Sequence, residues 1–341
     1  MHSAVLKAVP EDFVVSEAAL PSPGSGDGGR YEYLRLRKRG FTTFEAIERV
    51  AAGFGVPRSA ISAAGLKDED GVTEQTISLD GTTTPQALAA FNESTQDGSR
   101  WVTVSPAGRG DRAVEIGELV GNVFALTLRD LGEDLATRLR DERTIDLFFV
   151  NYFDTQRFGV PGGPKQTHLI GGALLAGDHD TALELVRASG SAEGEKALRH
   201  EGDGESFFAG LDQRVVSFYL CAHSSFAWNS RVAELVATTA GDQAVPTTKE
   251  GIDFLLPTSP GAVLALAGEQ RSACYDKYRW TGEAMRHTVS RRRTVVQTEV
   301  TVTSAARDEL FPRRWRAGLS FFLPSGCYAT NAVAQLLLQV T

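Results

Sequence analysis

The sequence predicts a mixed α/β first part running into a more helical second part. Three observations carry this. The first part interleaves short apolar or alternating runs with one well-capped amphipathic helix. Pro161-Gly162-Gly163-Pro164 then punctuates the chain, and alanine- and leucine-rich text with helical periods follows. With 42% hydrophobic and 23% charged residues, the 341-residue chain has ordinary globular usage and room for two domains.

In order, Phe13 to Val15 reads as a short strand, and Pro21 to Gly29, mostly glycine, serine and proline, as a flexible loop. Tyr31 to Arg37 alternates, with Tyr31, Tyr33, Arg35 and Arg37 on one face and Glu32, Leu34 and Leu36 on the other. Aromatic and basic side chains interleaved in this way suit base stacking beside phosphates, and also an ordinary exposed sheet face, which is the more common case. Thr42 opens a helix through a capping box to Glu45; Ile47, Val50, Ala51 and Phe54 continue its apolar stripe, and Gly55 stops it. Thr84-Pro85 starts another helix. Strands follow at Trp101 to Val104 and at Val123 to Arg129, where Phe124, Leu126 and Leu128 share a face. Ala173, Leu174, Ala182, Leu183, Leu185 and the long pattern from Val215 to Val236 mark a helical region from about Phe158 to about Val302. Phe321-Phe322-Leu323 reads as a strand, and Pro324-Ser325-Gly326 turns it into a short closing helix. There is no internal repeat.

Several function classes lack support. No apolar run is long enough to span a bilayer, and Met1 to Pro10 lacks the pattern of a secretory signal. The three cysteines, Cys221, Cys274 and Cys327, are widely spaced and without CxxC, which argues for a reduced compartment and against a disulfide framework. The expectation is a soluble cytoplasmic protein. Walker A, GxGxxG-after-strand and GxSxG patterns are missing, and the six histidines show no HxxxH or HxxEH pairing. Neither a nucleotide cofactor nor a metal is expected. The formal charge of -8 argues mildly against a nucleic-acid partner. Positive residues are grouped, however: Arg30, Arg35, Arg37, Lys38 and Arg39; Arg291-Arg292-Arg293; Arg313, Arg314 and Arg316. That grouping fits one polyanion-binding surface or three unrelated solvated faces.

The chemically richest stretch is Ala64 to Gln75, which places Asp68 directly after Lys67 on a glycine-flanked turn. A carboxylate held there can be a covalent nucleophile or a general base, and a neighbouring ammonium favours the ionised form of a carboxylate. Taken alone, the run Lys67-Asp68-Glu69-Asp70 is more often a solvated turn than a catalytic site. Six segments in order resemble the TruD family of RNA pseudouridine synthases. They are Lys7 to Glu17 (K-x-x-P-E-D-F-x-V-x-E), Ala64 to Gln75, Gly121 to Phe124 followed by Arg129, Asn151 to Gly159, Ser224 to Asn229, and Leu323 to Thr330.

The resemblance implies an α+β architecture: a catalytic domain of mixed, largely antiparallel sheet flanked by helices (residues 1–157 and 303–341), with a more helical TRUD domain inserted at 158–302. It implies a monomeric enzyme that isomerises uridine to pseudouridine in the D arm of tRNA, without a metal or small-molecule cofactor. The alternative is an RNA-binding, RNA-folding chaperone with weak or lost modification activity. Position by position, Asp68 matches the catalytic aspartate, and Lys67 and Lys7 the basic groups of the active-site floor. Asn122 and Phe124 match the asparagine and aromatic that hold the ribose and stack on the target base, and Phe13 and Tyr328 match further aromatics lining the pocket. As bare residues, Phe13 and Phe124 also fit plain core, Asn122 a turn, and Tyr328 a core aromatic with a satisfied hydroxyl. Two departures stand out. Asp154 occupies a place the family gives to glycine, where glycine signals a special backbone angle. Glu69 and Asp70 stand where basic residues are common, which should weaken RNA affinity.

Overall fold

The computed structural model describes residues 4–18, 29–282 and 284–340, so residues 21–28 of the expected loop lie outside it. The chain forms two compact units: unit 1 is Met1–Asp146, Thr298–Gly326 and Val340–Thr341, and unit 2 is Leu147–Gln297 and Cys327–Gln339. Unit 1 opens with β1 (Phe13–Ala18), β2 (Tyr31–Arg39), α1 (Thr43–Phe54), β3 (Ile61–Ala63) and β4 (Val72–Asp80). Then come α2 (Pro85–Ser94), β5 (Gln96–Asp97), β6 (Arg100–Gly110), β7 (Gly121–Leu131) and α3 (Glu133–Glu142), and the chain leaves along β8 (Thr144–Val150). Unit 2 holds α4 (Thr167–Leu175), α5 (His179–Arg187), α6 (Ala192–Leu198), α7 (Gly204–Ala209) and the long α8 (Gln213–Ala240). It continues with β9 (Ala244–Lys249), β10 (Ile252–Pro257), α9 (Pro260–Glu269), β11 (Ser272–Trp280) and β12 (Met285–Arg293). The return runs along β13 (Val295–Arg307) and β14 (Trp315–Pro324), and α10 (Ala329–Gln339) clusters with unit 2.

In unit 1 the strand order runs β5-β6-β2-β4-β1-β7-β14-β13, with β3 beside β4. The β1–β4 ladder is parallel, and its neighbours β2–β4, β2–β6, β1–β7 and β7–β14 are antiparallel, so the sheet is mixed and largely antiparallel. Alternation sorts each strand. Leu34 and Leu36 of β2, Ile77 and Leu79 of β4, and Val102 and Val104 of β6 turn inward against Ile47, Val50 and Ala51 of α1 and Phe91 of α2. Each such burial contributes roughly 1.5–3 kcal/mol. Helix α1 starts as expected: the Thr42 hydroxyl accepts from the Glu45 N–H, and the Glu45 carboxylate accepts from the Thr42 N–H at 2.8 Å. It ends where Gly55 adopts φ 66°, the left-handed region that glycine enters freely.

In unit 2, α4 to α7 and the first half of α8 bury Ile170, Leu174, Leu183, Val186, Phe207 and Leu220 together. The second half of α8 sends Trp228, Val232 and Val236 against Phe254 of β10, Leu266 of α9 and Tyr275 of β11. The hairpins β9–β10 and β11–β12 are absent from the helical reading of this region. Their physical reason is plain: β12 carries Arg286, His287, Arg291 and Arg293 exposed, so it has no apolar period to read. Among the described residues no helix is long and apolar enough to cross a membrane.

Candidate active site

Asp68 sits on the turn that joins β3 to β4. The turn is drawn close to β1, because a Cβ added at Gly71 would lie 2.5 Å from the Phe13 carbonyl oxygen. Asp68 Oδ2 accepts from Lys7 Nζ at 3.3 Å, and both side chains are partly exposed. The same ammonium lies 4.1 Å from the centroid of the Phe13 ring. Lys7 has φ 62°, a conformation that costs an L residue energy and persists only where its neighbours impose it. Those neighbours are firm. Val5 exchanges backbone bonds of 2.9 and 3.0 Å with Arg129. Asp12 accepts from the Val9 N–H at 3.1 Å. The buried Arg129 guanidinium then ties Asp12 (2.9 Å) to Asp308 (2.8 Å) and Glu309 (3.0 Å). The Asp12 hydrogen bond, with help from Glu309 and Asp308, raises the Arg129 pKa against the cost of burial.

Lys67 turns away from Asp68. Its Nζ pairs with Glu17 Oε1 at 2.8 Å and donates to Asn122 Oδ1 at 2.9 Å, with the Lys67 and Glu17 side chains 5% and 3% exposed. The ladder makes this possible by placing Glu17 of β1 opposite Asn122 of β7. Thr43, the first residue of α1, accepts from the Lys67 N–H at 2.9 Å and donates to Gln75 Oε1 at 3.1 Å. Gln75 in turn donates to the Gly65 carbonyl at 3.1 Å, so one buried pair fastens both arms of the turn. Phe13 and Phe124 meet edge to face at 6.0 Å, and Phe124 stacks on Phe321 of β14 at 5.5 Å. Both Phe13 and Phe124 are buried, so this trio forms a packed floor. The structure therefore brings together Lys7, Phe13, Lys67, Asp68, Asn122 and Phe124 within unit 1.

Tyr328 belongs to unit 2, where its ring meets Phe153 edge-on at 6.2 Å and burial raises its hydroxyl pKa. Asp154 is also there, with φ -82° and ψ 166°, an extended conformation open to any residue. No special backbone angle is at stake. Its buried carboxylate pairs with Lys249 Nζ at 2.7 and 2.9 Å, accepts from the Thr155 N–H at 2.8 Å and accepts from the Thr330 hydroxyl. Elsewhere in unit 2 a cleft of about 710 Å³ is lined by Arg157, Arg214, Ser217, Phe218, Arg279 and Trp280, among others. Ser217 and Trp280 exchange two hydrogen bonds that hold its walls together, and the Arg157 guanidinium lies 5.3 Å from the Phe218 ring centroid. Among the described residues no group of three histidine, cysteine or carboxylate side chains is placed to hold a metal ion.

Residues 2–201 match the family model of tRNA pseudouridine synthase D (TruD). The tRNA pseudouridine synthase D of Stutzerimonas stutzeri is 33% identical over 356 aligned positions, covering 98% of this chain and 93% of that one. The chain belongs to the TruD family. The tRNA pseudouridine synthase D of Geobacter sulfurreducens is 36% identical over 197 residues, 56% of this chain, and the match spans 45% of that relative's length. The crystal structure of the Methanosarcina mazei TruD protein shares the fold, with a TM-score of 0.58 at 19% identity over 97% of this chain and 93% of that one.

In this TruD chain the residues that hold the site are the ones sequence reasoning passes over. Glu17 and Gln75 close the quoted motifs but show their use only once the strands are paired. Several members of the basic groups already have partners within the fold. Arg35 pairs with Glu74, Arg39 with Glu11, Arg314 with Asp130 and Arg316 with Glu309. Arg292 turns inward over the Phe153 ring, 4.0 Å from its centroid. Lys38 is fully buried. The strict alternation of β2 carries the signal for Lys38, since it puts that residue on the Leu34 and Leu36 face.

Proposed function

We propose that the chain isomerises uridine to pseudouridine in the D arm of tRNA, with Asp68 as the acting carboxylate. The observation that carries this reading is the Lys7–Asp68 pair. It is accessible to a substrate, whereas the groups that hold it, from Thr43 and Gln75 to Arg129, are buried. The reaction breaks the C1'–N1 bond, turns the detached uracil, joins C5 to C1', and moves the C5 hydrogen to N1, so all atoms balance within the substrate. Asp68 either attacks the sugar carbon or takes a ribose proton, and is regenerated at the end. The target base must first leave its stack. Asn122, whose Oδ1 is occupied by Lys67, keeps its amide N–H groups for a ribose hydroxyl. Phe13 and Phe124 support the floor under the base. In unit 2, the cleft offers arginines for backbone phosphates and the exposed Phe218 ring for a base.

Pseudouridine mapping on unmodified tRNA transcripts tests the reading. New D-arm pseudouridine with the wild type and none with Asp68→Asn is the expected result. No product from the wild type at any salt, with RNA still bound, would transfer the assignment to an RNA-folding chaperone. The exposed Glu69 and Asp70 beside the site are the observation that favours that second reading. There, Asp68→Asn leaves both binding and folding assistance intact.

A further inference from the structure

Lys38 extends from the inward face of β2 beneath the catalytic turn, and none of its surface is exposed. Its partners are backbone carbonyls. Nζ donates to Phe41 O at 2.7 Å, to Asp68 O at 2.7 Å and, more weakly, to Lys67 O at 3.4 Å. Three carbonyls match the three N–H bonds of an ammonium, whereas a neutral amine has two. A lysine at this depth is costly, and a buried charge needs a reason to be there. Thr43 and Gln75 hold the arms of the turn, but the Asp68 carbonyl itself is held by Lys38.

We propose that Lys38 is a positioning residue whose buried ammonium clamps the Lys67–Asp68 backbone, and so places the reactive carboxylate, with a grip that loosens when the ammonium loses its third N–H and its charge. The proposal rests on the synthase reading above for its catalytic consequence, and on geometry alone for the clamp. The charged groups that face Lys38 are Asp68, Glu69 and Lys67 of the turn and Glu45 of α1. Burial outweighs the three carboxylates and lowers the Lys38 pKa from 10.5 to about 8. The clamp therefore weakens as pH rises through about 8. Over the same range the unfolded chain still binds the Lys38 proton, so this residue's contribution to folding stability rises with pH. Turn order and global stability move in opposite directions, which a lysine serving stability alone does not produce.

Amide hydrogen exchange on the full chain, corrected for intrinsic rates, reads the clamp directly. In the wild type, protection of residues 64–71 should fall about ten-fold as pH rises from neutral past the Lys38 transition, while the amides of Leu34 and Leu36 stay protected. Lys38→Met should show low turn protection at every pH, and about ten-fold or greater loss of kcat with unchanged KM for tRNA. Lys38→Arg, which keeps its charge, should move the alkaline loss out of the accessible range. Turn protection independent of pH in the wild type, or wild-type kcat in Lys38→Met, would overturn the proposal. If Lys38→Met does not fold, the wild-type profile and Lys38→Arg decide. If the wild type makes no pseudouridine, the function reading fails while the exchange profile still settles the clamp.

Discussion

Lys67 and Asp68 are neighbours in sequence with separate duties in space. One is locked between Glu17 and Asn122, and the other faces Lys7. The motif singled out Asp68 as a candidate but could not show which ammonium faces it, because Lys7 and Asp68 are brought together only by the fold. This difference predicts contrasting mutants. Glu17→Ala leaves the Lys67 ammonium buried beside a neutral amide, and should cost about 3 kcal/mol in a denaturant titration. Lys7→Met breaks a partly exposed pair, so it should change stability by less than about 1 kcal/mol while lowering the rate of pseudouridine formation. Equal stability loss in both would contradict the two burial states. Asp154 was legible as an oddity and illegible as a structure. Asp154→Gly should cost about 1–3 kcal/mol, because it removes a buried cap and ion pair without relieving any backbone strain.

At the scale of elements, local chemistry was readable where it is local. The Thr42–Glu45 capping box, the Gly55 stop and the Thr84 cap before Pro85 all lie within one turn of what they control, and each appears in the structure. The two hairpins of unit 2 were not readable, since the strand carrying Arg286 to Arg293 shows solvent mostly polar side chains. The segment that presents Lys7 depends on a non-local knot around Arg129. Asp308 in that knot is opposed by burial, yet hydrogen bonds from the backbone of Leu310, Asp130 and Phe311 and from Arg129 together hold its pKa below the ordinary 3.8. A depressed carboxylate stabilises the fold above its unfolded pKa and loses that contribution as pH falls through the folded value. Acid titration should therefore show the opening segment, residues 4–12, losing exchange protection below about pH 4. Arg129→Met should reduce the pH dependence of that step, leaving the part held by the backbone of Leu310, Asp130 and Phe311.

For the molecule as a whole, the formal charge of -8 and the grouped arginines pointed in different directions, and pairing largely resolves the conflict. Most of the grouped arginines of unit 1 meet carboxylates, whereas the cleft of unit 2 gathers Arg157, Arg214 and Arg279 from separate stretches that no composition window joins. Arg279→Ala should weaken RNA binding uniformly and reduce the slope of log affinity against log salt by about one. An unchanged slope would remove that arginine from the phosphate contacts. Unit 1 is discontinuous in the chain, and its strand register was not legible in the sequence, because register follows from pairing. That discontinuity has a consequence for synthesis. Arg129 leaves the ribosome with Asp12 already made, while Asp308 is still 179 residues from being added. Strand β14, which covers one edge of β7, comes later still. A nascent chain can make residues 147–297 of unit 2 while unit 1 remains an open sheet, with Arg129 able to meet Asp12 but not yet Asp308 or Glu309. The Lys7–Asp68 pair thus receives its full anchorage only once Asp308 and Glu309 have been added, and a chain released before them lacks that anchorage.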